Sequence, residues 1–191
     1  DGWTYKYDDD KIRGIKQTHQ PSPWLNDYAA FAFMAVTGDL KFNQDDRASW
    51  FSHKAEVSSP HYYSVYLADH DVVAEVTPTE RAAQFRFTFP DTDSAFIILD
   101  AFEKGSMVKI IPEERKIVGY TRYNHGGVPE NFHNYFIAQF DKDFEIQHTW
   151  TNDYKLQENT DFSEADHVGA IVGFKTKRGR TGWSESCFLF Y

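Results

Sequence analysis

A strict alternation of aromatic and polar side chains over residues 83–89 constrains the fold of this chain more than any other feature. Phe85, Phe87 and Phe89 fall on one face of an extended segment, and the residues between them are polar. The chain has 17 Phe and 11 Tyr among 191 residues, and aromatic side chains favour strands. The alternation therefore predicts a strand with one buried face and one solvated face.

Short segments of similar character recur along the sequence. No long stretch holds a helical period, although residues 29–36 are apolar enough to be ambiguous between helix and strand. A hairpin-type connection is expected at 140–144 and a polar loop at 154–166. The pattern predicts an all-β fold, a two-sheet antiparallel β-sandwich in one domain. The other expected strands are 61–67, 72–76, 95–99, 107–111, 116–123, 132–140, 144–150 and 168–174.

The composition excludes several classes of function. A formal net charge of −9 argues against a nucleic-acid partner, because such proteins need clustered cations to neutralise phosphates. No apolar run approaches the roughly 20 residues that a membrane span requires. The single cysteine, Cys187, excludes an internal disulfide and a Cys-rich zinc site. No signal peptide is visible after Asp1.

The segment 17–27 has the composition of a binding loop. Two prolines restrict its backbone, so we expect a stiff loop that presents Trp24. An indole ring can stack on the apolar face of a sugar, and neighbouring polar side chains can orient its hydroxyl groups. The alternative is that Trp24 closes the end of the sandwich core. The candidate polar neighbours are His19, Gln20, Asn26 and Asp27.

The sequence contains no recognisable catalytic or metal-binding set. The acidic runs at 8–10, 45–46 and 113–114 are interpreted as solvated turns, because they lack the glycine and terminal glutamate of a calcium loop. Eight histidines show no zinc-binding spacing, and no nucleophile motif is present. The residues alone therefore indicate a binding-type loop and no recognisable catalytic set.

Several segments resemble the N-terminal domain of glycoside hydrolase family 92, with the α-1,2-mannosidases of gut Bacteroides-type bacteria as the nearest likeness. The most specific part is the loop Pro21-Ser22-Pro23-Trp24. The similarity extends from residue 1 to about 177, which defines a domain over 1–179. It rests on residues 1–7, 12–27 and 62–81, and also on 98–100, 119–120, 129–132 and 135–136.

The resemblance implies a fold, an activity and a location. The fold would be a galactose-mutarotase-like sandwich (a supersandwich). The activity would be that of a calcium-dependent, inverting exo-α-1,2-mannosidase acting on mannose-containing glycans, either periplasmic or secreted to the cell surface. In the family, the acid, the base and the calcium ligands belong to a C-terminal (α/α)6 domain, so this chain would supply no calcium ligand. Its expected partners are an α-mannoside glycan and that catalytic domain. Trp24 would contribute to the substrate pocket, with His19, Gln20, Asn26 and Asp27 as neighbours.

Two segments depart from the family pattern. The family's first strands precede the point that matches Asp1 and are not in this sequence. Residues 180–191 form an atypical tail, which is either a replacement strand or a sequence artefact such as a shifted reading frame. We expect the isolated domain to be inactive and to self-associate through an uncovered apolar face. The alternative functions are a free-standing carbohydrate-binding module or a structural domain, and a mutarotase is the least supported.

Overall fold

A computed structural model describes residues 7–17, 30–177 and 184–190, the last range as backbone alone. These residues form strands and one short 3-10 helix, Pro112–Glu114. In chain order the strands are β1 (Lys11–Ile12), β2 (Ile15–Gln17), β3 (Phe31–Thr37), β4 (Ser49–Trp50), β5 (Val57–Ser59), β6 (Tyr62–Leu67), β7 (Val72–Pro78), β8 (Ala82–Thr88), β9 (Thr92–Asp100), β10 (Ser106–Ile111), β11 (Lys116–Thr121), β12 (Asn134–Phe140), β13 (Ile146–Thr151), β14 (Lys155–Glu158), β15 (Phe162–Ala165), β16 (Gly169–Thr176) and β17 (Ser184–Phe190).

The strands form two large antiparallel sheets. The nine-stranded sheet has the order β15-β10-β11-β12-β17-β8-β7-β6-β5, and the six-stranded sheet has the order β14-β13-β16-β9-β3-β2. β1 and β4 pair separately. The predicted all-β sandwich is therefore confirmed. None of the helices in the described part of the chain is long and apolar enough to cross a membrane.

Aromatic rings join the two sheets across the core. Phe31 of the six-stranded sheet stacks on Phe136 of the nine-stranded sheet at 4.8 Å between ring centroids. Phe33 of the six-stranded sheet also contacts Phe85 of the nine-stranded sheet, with 5.3 Å between ring centroids and the rings tilted by 43°. Phe85, Phe87 and Phe89 are all buried, as their alternation predicts. The aromatic excess of the sequence thus fills the space between the sheets.

Residues 31–36 of the ambiguous segment belong to β3, a strand buried on both faces. Phe33 faces the other sheet, and its neighbour Met34 faces outward yet is only 2% exposed. The segment that precedes β4 covers this outer face, where Phe42 packs 5.6 Å from Trp150. A strand that is covered on both faces has no polar alternation, which explains the ambiguity.

Two expectations for the loops are wrong. Residues 140–144 do not close a hairpin, because β12 pairs with β11 and β17 whereas β13 pairs with β14 and β16. The connection therefore carries the chain from one sheet to the other. The expected polar loop 154–166 contains β14 and β15, each at the edge of a sheet. Edge strands are often short and polar, so their sequences resemble those of loops.

The atypical tail enters the nine-stranded sheet as β17. Its backbone pairs with β8 on one side and with β12 on the other, so that Cys187 lies opposite both Phe85 and Phe140. The side chains of Phe188 and Phe190 lie outside the described residues. The origin of residues 180–191 and the boundary at 179 stay predictions.

Candidate functional site

Only the first residue of the predicted binding loop, Gln17, is described, and the chain is described again from Ala30. Trp24, His19, Gln20, Asn26 and Asp27 lie outside the described residues. Gln17 ends β2 and lies opposite Phe31 of β3. The loop therefore leaves and re-enters the six-stranded sheet at the same end of the sandwich.

Other connections meet at this end, which we call the loop end. Asp100, the last residue of β9, lies opposite Ala32 and opposite Gly169, the first residue of β16. The connection after Asp100 therefore begins beside the binding loop. It also contacts the long connection that follows β11, because the backbone N–H of Arg122 donates to the carbonyl of Gly105 at 2.9 Å. The loop end thus combines segments from both sheets.

A buried ion triad lies beneath these connections. Asp100 is fully buried, and its Oδ2 is 2.8 Å from Nη2 of Arg47, which is also buried. Its Oδ1 is 2.7 Å from Nε2 of His167. Burial alone would raise the pKa of Asp100, but the hydrogen bond to His167 and the charge of Arg47 outweigh it, so the pKa is lowered. Burial alone would lower the pKa of His167, but its hydrogen bond and its attraction to Asp100 outweigh this, so the pKa is raised.

Arg47 connects the triad to two further segments. Its Nε donates to the carbonyl of Arg13 at 2.8 Å, and its Nη1 donates to the carbonyl of Phe42 at 3.0 Å. Its own carbonyl lies 2.9 Å from Nε2 of His70, whose pKa is lowered mainly by burial. Each of the three guanidinium nitrogens thus donates to an acceptor, and such pairing makes a buried charge tolerable. The triad therefore serves to hold the loop end in place.

Asp100 also shapes the connection that follows it. Its Oδ1 accepts a hydrogen bond from the backbone N–H of Phe102 at 3.1 Å. Phe102 has a φ of 59° and Lys104 a φ of 76°, a left-handed backbone that is uncommon for residues other than glycine. Such strain persists only where the surrounding structure holds it, and here a buried carboxylate does so.

The strained connection presents an aromatic pair. The half-buried rings of Phe102 and Tyr123 lie 5.2 Å apart. Nζ of Lys16, on β2 just before the binding loop, lies 5.6 Å from the first ring centroid and 5.2 Å from the second. The hydroxyl of Tyr123 is 3.1 Å from Nε2 of His125. Aromatic faces bordered by hydrogen-bonding groups are suited to binding a sugar ring.

The described residues offer no metal centre. In the ranges 7–17 and 30–177, no group of three or more His, Cys, Asp or Glu side chains is placed to hold an ion. Asp45 pairs with Arg13 at the surface, and Glu114 pairs with Lys116. A cleft lined by Arg115, Phe174 and several charged side chains lies at the opposite end of the sandwich, away from the binding loop.

The comparisons identify the family. The model of the glycosyl hydrolase family 92 N-terminal domain matches residues 1–181, so this chain belongs to that family. It is similar to the structure of the family GH92 inverting mannosidase BT2199 from Bacteroides thetaiotaomicron VPI-5482, with 36% identity and a TM-score of 0.91 over 99% of this chain and 25% of that one. It is also similar to the family GH92 α-mannosidase BT3965 from Bacteroides thetaiotaomicron, with 29% identity and a TM-score of 0.82 over 97% of this chain and 27% of that one.

A third structure, the family GH92 glycosyl hydrolase CcMan5, shares the fold at 19% identity and a TM-score of 0.74, over 97% of this chain and 26% of that one. The comparison with curated proteins gives no match. The chain spans about a quarter of the length of the solved structures it matches. The resemblance to the N-terminal domain of the family is therefore confirmed.

The sequence alone did not reveal the triad or the aromatic pair. Asp100 belongs to a segment that resembles the family, but it pairs with residues 53 and 67 positions away. Phe102 follows a buried strand, and the residues next to it in the sequence do not predict a left-handed backbone. The double glycine after His125 was the one local signal, because it marks a loop able to approach a ligand.

Proposed function

We propose that this chain is the N-terminal domain of an inverting exo-α-1,2-mannosidase that acts on mannose-containing glycans. The observation that carries the proposal is the match to the inverting mannosidase BT2199, at a TM-score of 0.91 over nearly the whole chain. In this proposal the domain shapes one wall of the substrate pocket and packs against a separate catalytic (α/α)6 domain of the same polypeptide. The enzyme acts in the periplasm or outside the cell.

The loop end is the part of the domain that meets the substrate. Trp24 stacks on a mannose ring, and the half-buried pair Phe102 and Tyr123 lies beside the same loop. The neighbours of Trp24 orient the sugar hydroxyl groups: His19, Gln20, Asn26 and Asp27. Support comes from the pairing of Gln17 with Phe31, which lies at the end of the sheet where Lys16 contacts the aromatic pair.

Bond cleavage belongs to the rest of the enzyme. Inversion needs a carboxylic acid and a carboxylate about 6.5–9.5 Å apart, both with access to the substrate. Asp100 is the buried carboxylate at the loop end, and it is committed to Arg47 and His167. The described residues also do not fit a calcium site, so we place the calcium ion outside them and derive no step through it.

Two measurements on this chain test the proposal. Incubation with α-1,2-mannobiose, with and without calcium, should release no mannose. Any turnover would refute the proposal that bond cleavage belongs to a different domain. Titration with mannobiose should give weak binding or none, because the chain holds half a pocket. Tight binding with a fluorescence change that Trp24→Ala abolishes would favour the alternative, a free-standing carbohydrate-binding module. Trp50→Ala is the control, because Trp50 is 46% exposed on β4, away from the binding loop.

A further inference from the structure

Half of the outer face of the nine-stranded sheet is apolar. On β10, β11, β12 and β15 the inward residues fill the core, and the outward residues include several large apolar side chains. Tyr135 is 65% exposed, Phe162 is 49% exposed and Ile137 is 44% exposed. We call this surface the outer patch, and it consists of Met107, Val118, Tyr120, Tyr135, Ile137 and Phe162.

The outer patch is continuous across β10, β11 and β12, and Phe162 of β15 lies beside it. In one row, Met107 lies opposite Tyr120, which in turn lies opposite Tyr135. In the next row, Val118 lies opposite Ile137. Directly opposed side chains of an antiparallel sheet are in contact range, so the patch forms one surface.

The other half of the same face carries more polar side chains, although Val57 is 52% exposed and Tyr66 is 40% exposed there. On β7 and β8, Glu75 holds Arg86 through two hydrogen bonds and also accepts one from the hydroxyl of Tyr62 at 2.6 Å. Thr77 and Gln84 are exposed beside them. A sheet face that meets water is normally polar along its whole width, so the difference between the two halves indicates that one of them is covered.

We propose that the outer patch is the surface on which the remaining part of the mannosidase polypeptide docks. This inference rests on the proposed function, since it needs a further domain in the same chain. The solved structures are about four times as long as the region they share with this chain, so such a domain is expected.

The size of the outer patch favours a covalently linked occupant over a second copy. Four strands about 4.8 Å apart and two to three rows of side chains give an area of about 300 Å². A stable complex of free proteins buries about 800 Å² on each partner, which exceeds this area. A domain tethered in the same chain has a high effective concentration and can use a smaller surface.

The charges within the outer patch define its partner further. Lys109 is exposed and lies between Phe162 and Val118 in the register of the sheet. Glu164 is also exposed, but its Oε1 accepts a hydrogen bond from the hydroxyl of Tyr120 at 2.6 Å. The docking surface should therefore be apolar, with a carboxylate placed opposite Lys109.

Tyrosine nitration followed by mass spectrometry tests this proposal without a measurement of activity. The reaction is run at low micromolar concentration on this chain and on the complete polypeptide that contains it. Tyr135 is the reporter. Tyr66 is the matched control, because it is 40% exposed on the polar half and its hydroxyl bonds to Asp71.

We expect Tyr135 and Tyr66 to react readily in this chain, and Tyr135 alone to react at least tenfold more slowly in the complete polypeptide. Equal reaction of Tyr135 in both would overturn the proposal. So would strong protection of Tyr135 in this chain already at low micromolar concentration, which indicates a tight complex with a second copy, or protection by added mannan, which indicates a glycan surface. A complete polypeptide that protects Tyr135 but cleaves no mannoside would reject the proposed function and retain the docking surface.

Discussion

The carboxylate of Asp100 and the guanidinium of Arg47 form an ion pair of 2.8 Å in which neither side chain is more than 2% exposed. Replacing Asp100 by Asn leaves a buried, uncompensated cation. We expect Asp100→Asn to lower the free energy of unfolding by about 3–5 kcal/mol, measured by urea denaturation. The control is Glu145→Gln, which removes a surface pair with Lys175 at 3.2 Å and should cost no more than about 1 kcal/mol. Equal losses of unfolding free energy in the two variants would show that the buried ion pair stabilises the chain no more than the surface pair does.

The triad should make stability depend on pH. The pKa of His167 is raised in the folded chain, so the folded state holds this proton more tightly than the unfolded state does. The stabilisation that protonated His167 gives the folded state is complete below the ordinary histidine pKa of 6.5. It is lost as pH rises through the folded-state pKa of His167. The difference in urea midpoint between the wild type and His167→Gln should therefore shrink from pH 5.5 to pH 8.5. A difference that grows with pH would contradict the charge assigned to His167.

Gly169 is expected to be intolerant of any side chain. A Cβ at this position would lie 2.0 Å from two atoms of the Trp150 ring and 2.4 Å from the carbonyl oxygen of Leu99. Gly169→Ala should therefore destabilise the chain by about 1–3 kcal/mol or more, measured by thermal or urea unfolding. In a Trp150→Leu background the additional cost of Gly169→Ala should be smaller, because part of the clash is gone. If Gly169→Ala lowered the free energy of unfolding equally in both backgrounds, the clash with Trp150 would not be the cause of the loss.

The aromatic pair at the loop end should affect glycan binding. Removing the Tyr123 ring takes away one wall beside the binding loop, so Tyr123→Ala in the complete polypeptide should weaken binding of an α-mannoside two- to tenfold. The readout is KM, with kcat followed alongside it. The control is Tyr66→Ala on the polar half of the outer face, which should leave KM unchanged. An unchanged KM in Tyr123→Ala would remove the aromatic pair from the substrate pocket.

This chain on its own should self-associate weakly. The outer patch is too small for a tight dimer, but it is uncovered, so sedimentation should show a larger species only at high concentration. Ile137→Glu, within the outer patch, should suppress that species, and Thr77→Glu on the polar half should not. A strictly monomeric wild type at the highest concentration would count against an uncovered docking face.

The strands of the core were predictable because their apolar side chains alternate with polar ones, which indicates one buried face and one exposed face. The Phe85 to Phe89 alternation matches β8 closely, and segments such as β6, β7 and β11 follow the same rule. The edge strands β14 and β15 were missed because an edge strand tolerates polar residues on both faces. The turn at 140–144 was misread because local sequence indicates a turn but does not reveal which sheet the next strand joins.

The candidate site was predictable only in part. The proline-rich segment predicts a loop that presents a tryptophan, and it lies within the range that the family model matches. The support beneath the loop was not predictable, because Arg47, Asp100 and His167 come together only through the pairing of distant strands. A buried carboxylate also looks like any other acidic residue until its surroundings are known.

The position of β17 has a consequence for biosynthesis. Without it, the nine-stranded sheet is two separate four-stranded blocks, one ending at β12 and the other at β8. A ribosome must therefore deliver residues 184–190 before those blocks can join, and until then two unpaired strand edges stay exposed to other chains. The yield of soluble protein during synthesis thus depends on β17, which emerges after the other eight strands of this sheet.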